Sequence, residues 1–187
     1  HIASKLYLQP GQRVVDLGCG WGGLALYLNR VADVDVLGVT LSKEQLAVAR
    51  QRAADAGVAD RVKFELMDWR DVEGPFDRVV SIGMFEHLGT AYFETFFRKV
   101  KELLAPDGVF ISESHYLIKL LETLQYDTIY HEHLRYYSVG SIKHLLEMHG
   151  LEVFHARPIP SHGGSIRVYA ARKGTRPVQP SAKHMLD

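Results

Sequence analysis

A short turn, DLGCGWG from Asp16 to Gly22, has the residue types and spacing best suited to holding a ligand. Its glycines let the main chain pass against a bound molecule, and the end of a first strand is where an open parallel sheet places its ligand crevice. The spacing Gly18-x-Gly20-x-Gly22 is closer than the dinucleotide fingerprint G-x-G-x-x-G, and an acid precedes it. This pattern favours an uncharged nucleoside and a cationic sulfonium over a pyrophosphate. The alternative is a tight strand-to-helix turn that binds nothing.

A second set of chemically competent side chains lies in a segment rich in Tyr and His, residues 116–137. Tyr130, Glu132 and His133 supply the side-chain types of acid–base chemistry. The alternative is a polar connection whose His and Tyr only cap helices. We expect no metal site, because His131 and His133 stand at i and i+2, on opposite faces of a strand and poorly aligned on a helix.

Short β-branched runs alternate with amphipathic stretches, which is typical of βαβ units around a parallel sheet. The pattern predicts strands over residues 13–17, 34–40, 62–66, 76–82 and 109–112. A helix opens with Leu24, a second is capped by Ser42 and ends at Gly57, and a third covers residues 92–104.

After the segment 116–137, a helix is predicted over residues 138–149 and strands over 151–159 and 166–171. The connection between these two strands is too short for a crossover helix, so they should form an antiparallel hairpin. The predicted fold is α/β, Rossmann-like, with a mainly parallel seven-stranded sheet and this C-terminal hairpin. We expect a single domain, 1–187, with a core over 1–112, an acceptor region and hairpin over 113–175, and a frayed tail over 176–187.

Composition excludes several classes of protein. The 22 basic and 22 acidic side chains balance, so there is no electrostatic footprint for nucleic acid. The single cysteine rules out internal disulfides and fits a reducing, cytoplasmic compartment. No apolar run approaches the ~20 residues that span a bilayer. The chain begins at His1 without Met or a signal-type run, so we expect a piece of a longer protein.

Four ordered motifs carry a resemblance to a known family: DLGCGWGGLALYL from Asp16, GVTLSKEQ from Gly38, ELMDW from Glu65 and SIGMFEHLG from Ser81. Together they resemble the cyclopropane fatty acid synthase branch of class I S-adenosylmethionine (SAM) methyltransferases, over roughly residues 1–108. The resemblance implies a SAM-dependent methyltransferase with S-adenosyl-L-methionine as its cofactor.

The resemblance also implies which residues meet the cofactor. Gly18 and Gly20 would pass under its methionine part. Thr40, Leu41 and Gln45 would meet the ribose and adenosine, where the Gln45 amide can bond a hydroxyl.

Asp68 and Trp69 would bracket the adenine, since a carboxylate accepts from its amino group and an indole offers a flat apolar face. Asp16 and Ile82 complete the implied cofactor-binding set. For Trp69 the alternative is an ordinary boundary aromatic, and Cys19 is expected to be a small packing residue rather than a nucleophile.

The C-terminal part resembles a different family. The segments 126–138 (YDTIYHEHLRYYS) and 160–174 (PSHGGSIRVYAARKG) resemble the C-terminal region of sugar-nucleotide C-methyltransferases, over roughly residues 112–175. That resemblance implies His133 as a base, Tyr130 as donor to a developing oxyanion and Glu132 as an orienting group.

Glu86 follows the fourth predicted strand, beside the crevice. In cyclopropane synthases a Glu at this place holds a bicarbonate ion that removes a proton from a carbocation formed on an alkene. Glu86 therefore either serves the acceptor, as a fourth catalytic candidate, or lines the SAM pocket.

We expect methylation of carbon in a small-molecule acceptor, first a polar one such as a nucleotide-linked keto sugar, because the acceptor segment is rich in Tyr and His rather than apolar. The first alternative is methylation of an unsaturated acyl lipid, as by a cyclopropane-fatty-acyl-phospholipid synthase. The second is SAM binding without turnover.

Overall fold

The computed structural model describes residues 2–82, 84, 88–129, 135–160 and 163–186. The chain divides into two compact units, His1–Gly108 and Val109–Asp187. The division falls just before the strand that begins at Phe110, and the single domain with a core over residues 1–112 stays a prediction.

The first unit is built on a parallel sheet with strand order β3-β2-β1-β4. Its strands are β1 (Arg13–Leu17), β2 (Asp35–Thr40), β3 (Val62–Leu66) and β4 (Arg78–Val80). Its helices are α1 (Ile2–Leu6), α2 (Gly23–Ala32), α3 (Lys43–Asp55) and α4 (Phe93–Leu103).

The core of this unit explains why β1 is apolar along its length. Val14, Val15 and Leu17 are fully buried, as expected for an inner parallel strand with both faces covered. Apolar side chains of α2 and α3, including Leu28 and Ala49, pack with Val14 in one cluster. The sheet and its helices thus hold the residues that follow each strand in fixed positions.

Local signals place α3 as predicted. The Ser42 hydroxyl accepts a hydrogen bond from the main-chain N–H of Gln45 at 3.2 Å, which caps the helix. Gly57 follows its end with φ of +68°, a conformation that favours glycine.

The fourth strand is shorter than the predicted 76–82. Its ladder with β1 covers Arg78–Val80. The main chain of Phe76 instead pairs with the end of α4, because its N–H donates to Leu103 O at 2.7 Å and its carbonyl accepts from Ala105 at 2.9 Å.

The second unit contains an antiparallel sheet with order β5-β7-β6. Its strands are β5 (Phe110–His115), β6 (Leu151–Ile159) and β7 (Ser165–Arg172), and its helices are α5 (Leu117–Glu122), α6 (Val139–Met148) and α7 (Pro180–His184). The predicted hairpin is confirmed, since β6 and β7 pair antiparallel from Leu151↔Arg172 to Ile159↔Ser165.

The prediction of one seven-stranded sheet is wrong for the described residues, whose strands form sheets of four and three. The reason lies in β5, which is aligned antiparallel with β7 along its whole length, from Phe110↔Ala170 to His115↔Ser165. The fifth strand therefore belongs to the antiparallel sheet.

The predicted tail also contains regular structure. Helix α7 lies within it, Ala182 is buried, and the N–H of Gln179 donates to Phe154 O at 2.8 Å. These contacts attach the segment to β6. Among the described residues, every helix falls short of the length and apolar character that crossing a bilayer would require.

Candidate functional site

The carboxyl ends of β1, β2 and β3 lie side by side and form a crevice edge. The register pairs Leu17 with Val39 and Thr40 with Leu66, and the N–H of Met67 donates to Thr40 O at 3.1 Å. Residues that immediately follow the three strands are therefore neighbours, as the sequence predicts for a parallel sheet.

The glycine turn after β1 is held against β2. The N–H groups of Gly18 and Cys19 both donate to Val39 O, at 3.0 and 2.9 Å, and Gly18, Gly20 and Gly22 have φ of +80°, +53° and +78°. A Cβ on Gly20 would meet no atom of the described residues within 4 Å. Gly20 thus leaves open space beside the main chain, which a ligand can approach.

Asp16 is buried at the end of β1, with 2% of its surface exposed. Burial raises the pKa of Asp16 to about 7. None of the described residues donates a hydrogen bond to this carboxylate. Its position suits a ligand that brings a positive charge.

Cys19 is buried in the turn. Burial and the nearby Asp16 raise the pKa of the Cys19 thiol to about 12. The thiol stays protonated at neutral pH, which agrees with a packing role rather than nucleophilic chemistry.

Thr40 and Gln45 are joined at the end of β2, where the Thr40 hydroxyl donates to Gln45 Oε1 at 2.8 Å. Thr40 is 7% exposed, whereas Leu41 is 70% exposed. Of the residues predicted to meet the ribose and adenosine, Leu41 is the one whose apolar side chain is available for contact.

Asp68 is engaged by a residue that the sequence analysis missed. Arg70 donates to Asp68 Oδ1 from its main-chain N–H at 2.9 Å and from Nε at 2.8 Å, and to Oδ2 from Nη2 at 2.6 Å. These bonds lower the pKa of Asp68, so the carboxylate is charged at neutral pH. The signal in the sequence that could have predicted this contact is the arginine two positions after the acid.

Trp69 is placed differently from an open adenine platform. Trp69 is 8% exposed, and its ring packs edge-on against Phe96, with centroids 5.5 Å apart. This is the environment of the boundary aromatic that the sequence left as the alternative. Ile82, after β4, is 55% exposed, and Ser81 ties this end to β1 by donating to Leu17 O at 3.0 Å.

The four predicted catalytic residues lie outside the described residues: Tyr130, Glu132, His133 and Glu86. Their roles stay predictions. On either side of the first three in the sequence, Tyr136 and Thr128 are described, and the Tyr136 hydroxyl donates to Thr128 O at 2.7 Å. Within the described ranges, no group of three or more His, Cys, Asp or Glu could hold a metal ion.

The second unit contains a buried charge that the sequence did not reveal. Arg167 is 4% exposed on β7 and forms an ion pair with Glu113 on β5. Its Nη1 also lies 3.4 Å from the hydroxyl of Tyr169. The register pairs Glu113 with Arg167 directly, so the antiparallel sheet positions both.

The crevice of the first unit fits SAM in three respects. It has an open main-chain approach at Gly20, a buried carboxylate at Asp16 and a hydrogen-bonding amide at Gln45. Asp68 keeps acceptor capacity beyond the bonds from Arg70, because a carboxylate has about four lone-pair sites.

Similarity to known proteins agrees with this site. The model of the family "Mycolic acid cyclopropane synthetase" matches residues 1–139. The chain is 47% identical over 110 residues to cyclopropane-fatty-acyl-phospholipid synthase of Escherichia coli (strain K12), covering 59% of this chain and 28% of that protein. It is 40% identical over 108 residues to cyclopropane mycolic acid synthase 1 of Mycobacterium tuberculosis (strain ATCC 25618 / H37Rv), covering 58% of this chain and 38% of that protein.

A solved structure shows the same fold. Mycolic acid cyclopropane synthase CmaA1, complexed with SAH and CTAB, matches with a TM-score of 0.66 and 29% identity, covering 83% of this chain and 60% of that one. The chain thus spans only part of each of these proteins. The predicted relation to the cyclopropane synthase branch is confirmed, and the family match continues to residue 139, past residue 112, where the second resemblance begins. Because the family model matches well over half of the chain, the protein belongs to the mycolic acid cyclopropane synthetase family of class I SAM-dependent methyltransferases.

Proposed function

We propose that this protein takes part in SAM-dependent methyl transfer to the carbon–carbon double bond of an unsaturated acyl lipid. The family match over residues 1–139 carries the proposal. It includes every predicted cofactor-binding residue and the segment with Tyr130, Glu132 and His133. The two relatives described above carry names of cyclopropane-forming enzymes that act on fatty acyl or mycolic acid chains.

This proposal adopts the alternative acceptor rather than the keto sugar that the sequence favours. The sugar expectation depends on the resemblance of residues 112–175, whereas the family model extends into that region as far as residue 139. The keto sugar becomes the comparison acceptor in the experiment.

When bound, SAM supplies an electrophilic methyl group on a sulfonium. The chain's part would be to hold the cofactor: Gly18 and Gly20 would pass under its methionine part, Gln45 would bond the ribose and Asp68 would accept from the adenine amino group. Asp16, whose carboxylate is buried at the end of β1, compensates the positive charge. Binding in turn favours the ionised form of Asp16, because an opposite charge lowers the pKa of a carboxyl group.

The two acceptors require different bases. If the two π electrons of an alkene formed a bond to the methyl carbon of SAM, the carbon–sulfur bond would break and SAH would leave. The other alkene carbon would become a cation, and loss of a proton from the added methyl group to a base would close a cyclopropane ring. Glu86 is then the residue that positions the base, a bicarbonate ion. A keto sugar must lose a proton next to its carbonyl before methylation, which is the task assigned to His133.

A direct test supplies SAM with a labelled methyl group and compares acceptors. The purified chain is incubated with vesicles of a monounsaturated phospholipid, with vesicles of the saturated lipid of equal chain length, and with a nucleotide-linked keto sugar. We expect label and one added methylene in the unsaturated lipid alone. Label in the sugar alone would contradict the proposal and restore the sugar acceptor.

Calorimetry with S-adenosylhomocysteine (SAH) separates binding from turnover. Heat of binding without methylation of any acceptor would favour a SAM-binding domain that does not turn over. NAD serves as the control ligand, because the turn lacks the pyrophosphate spacing of dinucleotide sites.

A further inference from the structure

A small hydrogen-bond network orders the polar groups at the end of β2. Thr40 Oγ1 lies 3.2 Å from the main-chain nitrogen of Ser42 and 2.8 Å from Gln45 Oε1. Thr40 is buried, and the main-chain N–H of Gln45 donates to Ser42 Oγ at 3.2 Å. The first turn of α3 is thereby fixed against β2.

The chemistry of these groups determines the direction of each bond. A main-chain N–H can only donate, so Thr40 Oγ1 accepts from Ser42. An amide oxygen can only accept, so the single hydroxyl hydrogen of Thr40 goes to Gln45 Oε1. The oxygen of the Gln45 carboxamide is therefore committed to the protein.

The same network leaves the other end of the amide available. Among the described residues, none accepts a hydrogen bond from Gln45 Nε2. The side chain is half-buried beside the crevice edge formed by β1, β2 and β3. Its amide hydrogens are the groups it can offer to a ligand.

We propose that Thr40 is a positioning residue that holds the Gln45 amide with its nitrogen toward the cofactor, so that the site selects a ribose hydroxyl acting as acceptor. This inference rests on the proposed function only in that the ligand is SAM or SAH. It concerns recognition of the ribose and holds for either acceptor. An unconstrained amide would present its oxygen and its nitrogen in turn. Fixing one orientation on binding would then cost conformational entropy and weaken the affinity.

The experiment measures SAH affinity by calorimetry with wild type, Thr40→Val and Thr40→Ser. Valine keeps the shape but removes the hydroxyl, whereas serine retains it. We expect Thr40→Val to weaken SAH binding by roughly 3- to 10-fold, the range of one hydrogen bond, and Thr40→Ser to restore most of the loss. Thermal unfolding of each variant checks that it is folded.

Ligand analogues supply a readout that a purely structural role would not move. With wild type, either 2′-deoxy- or 3′-deoxy-SAH should bind roughly 3- to 10-fold more weakly than SAH. In Thr40→Val this penalty should shrink toward none, because the amide no longer faces the hydroxyl in a fixed orientation. Equal penalties in wild type and Thr40→Val would overturn the proposal.

A second variant tests the orientation itself and does not depend on Thr40→Val being stable. Gln45→Glu replaces the donating nitrogen by an accepting oxygen, and we expect SAH affinity to fall about 10-fold. Gln51→Glu is the matched control on the same helix, because Gln51 is exposed and donates to Asp55 at 2.7 Å. Wild-type affinity in Gln45→Glu would overturn the proposal.

The outcomes also separate this inference from the proposed function. Absence of SAH binding in wild type would overturn both. SAH binding with the predicted variant pattern but no lipid methylation would remove the lipid acceptor and leave the inference standing. Lipid methylation by the wild type, together with unchanged SAH affinity in Thr40→Val, would overturn the inference and leave the proposed function standing.

Discussion

Two carboxylates at the crevice differ in charge state because their surroundings differ. Asp16 is buried with no donor among the described residues, and burial raises its pKa to about 7. Asp68 accepts three hydrogen bonds from Arg70, which lower its pKa. Each site residue therefore has a distinct electrostatic role that residue type alone does not reveal.

For Asp68→Ala we expect SAH affinity to fall by roughly 1–3 kcal/mol, because the adenine amino group loses a charged acceptor. Arg70 would also lose its partner and become free to move. The control is Asp71→Ala, since Asp71 is exposed on the same 3-10 turn. Unchanged SAH affinity in a folded Asp68→Ala protein, measured by calorimetry, would remove Asp68 from the site.

For Asp16→Asn we expect a change in the pH dependence of stability. The pKa of Asp16 is about 7 when folded, against 3.8 as the ordinary value. Between these pH values the folded state binds more protons than the unfolded state, so the free energy of unfolding falls as pH rises. Asparagine cannot ionise, so the free energy of unfolding of the variant should not show this decrease with rising pH.

Thermal unfolding of the ligand-free protein checks this prediction. The advantage of Asp16→Asn over wild type should grow from about pH 4 to about pH 7 and level off above that, reaching the order of 2–4 kcal/mol. Parallel pH profiles for the two proteins would show that Asp16 does not titrate in this range.

At the scale of elements, one side chain of β3 determines how closely the glycine turn approaches β2. A Cβ on Gly38 would lie 2.6 Å from Phe64 Cδ1 and 2.9 Å from the Cβ of Cys19, and a Cβ on Gly22 would lie 2.7 Å from Phe64 Cζ. Phe64 is itself 3% exposed. The turn, β2 and β3 are therefore packed around one aromatic ring.

Gly38→Ala should destabilise the protein by about 1–3 kcal/mol, because the added methyl group overpacks this core. Gly23→Ala is the matched control, since its Cβ would meet no atom within 4 Å in the part of the chain that the structure describes, and alanine favours helix. Unfolding in urea measures both. The double variant Gly38→Ala/Phe64→Leu should lose less unfolding free energy than the two single variants lose together. Strict additivity would contradict the packing argument.

At the scale of the whole molecule, the predicted cofactor-binding residues and three of the four predicted catalytic residues belong to different units; the fourth, Glu86, lies in the first unit. All nine predicted cofactor-binding residues lie within His1–Gly108, whereas Tyr130, Glu132 and His133 belong to Val109–Asp187. Substitutions at Tyr130, Glu132 or His133 should therefore leave SAH binding nearly unchanged.

With unsaturated lipid as acceptor, we expect Glu86→Gln to lower the methylation rate by about 100-fold or more, while SAH affinity changes little. The bicarbonate base would lose the residue that positions it, and a base contributes roughly 10²–10⁴-fold. The wild-type rate should depend on bicarbonate. His133→Gln should produce such a loss if the acceptor is instead a keto sugar. A lipid rate that is insensitive to both Glu86→Gln and bicarbonate would exclude Glu86 from the reaction.

The sequence by itself determined the parts that depend on local signals. The β1 turn with its three glycines, the Ser42 cap and the β6–β7 hairpin follow from neighbouring residues, because φ, capping groups and connection length act over a few positions. The parallel order of adjacent strands likewise places Gly18, Thr40 and Asp68 at one edge.

Features that depend on contacts between residues far apart in the sequence were decided only by the tertiary structure. The pairing of β5 with β7, the burial of Trp69 against Phe96 and the packing of Gly38 on Phe64 join residues far apart in the chain. Burial of Asp16 is a property of the assembled sheet, and its raised pKa follows from desolvation. Local residue patterns do not encode such contacts, because the free energy of each depends on what the rest of the fold brings beside it.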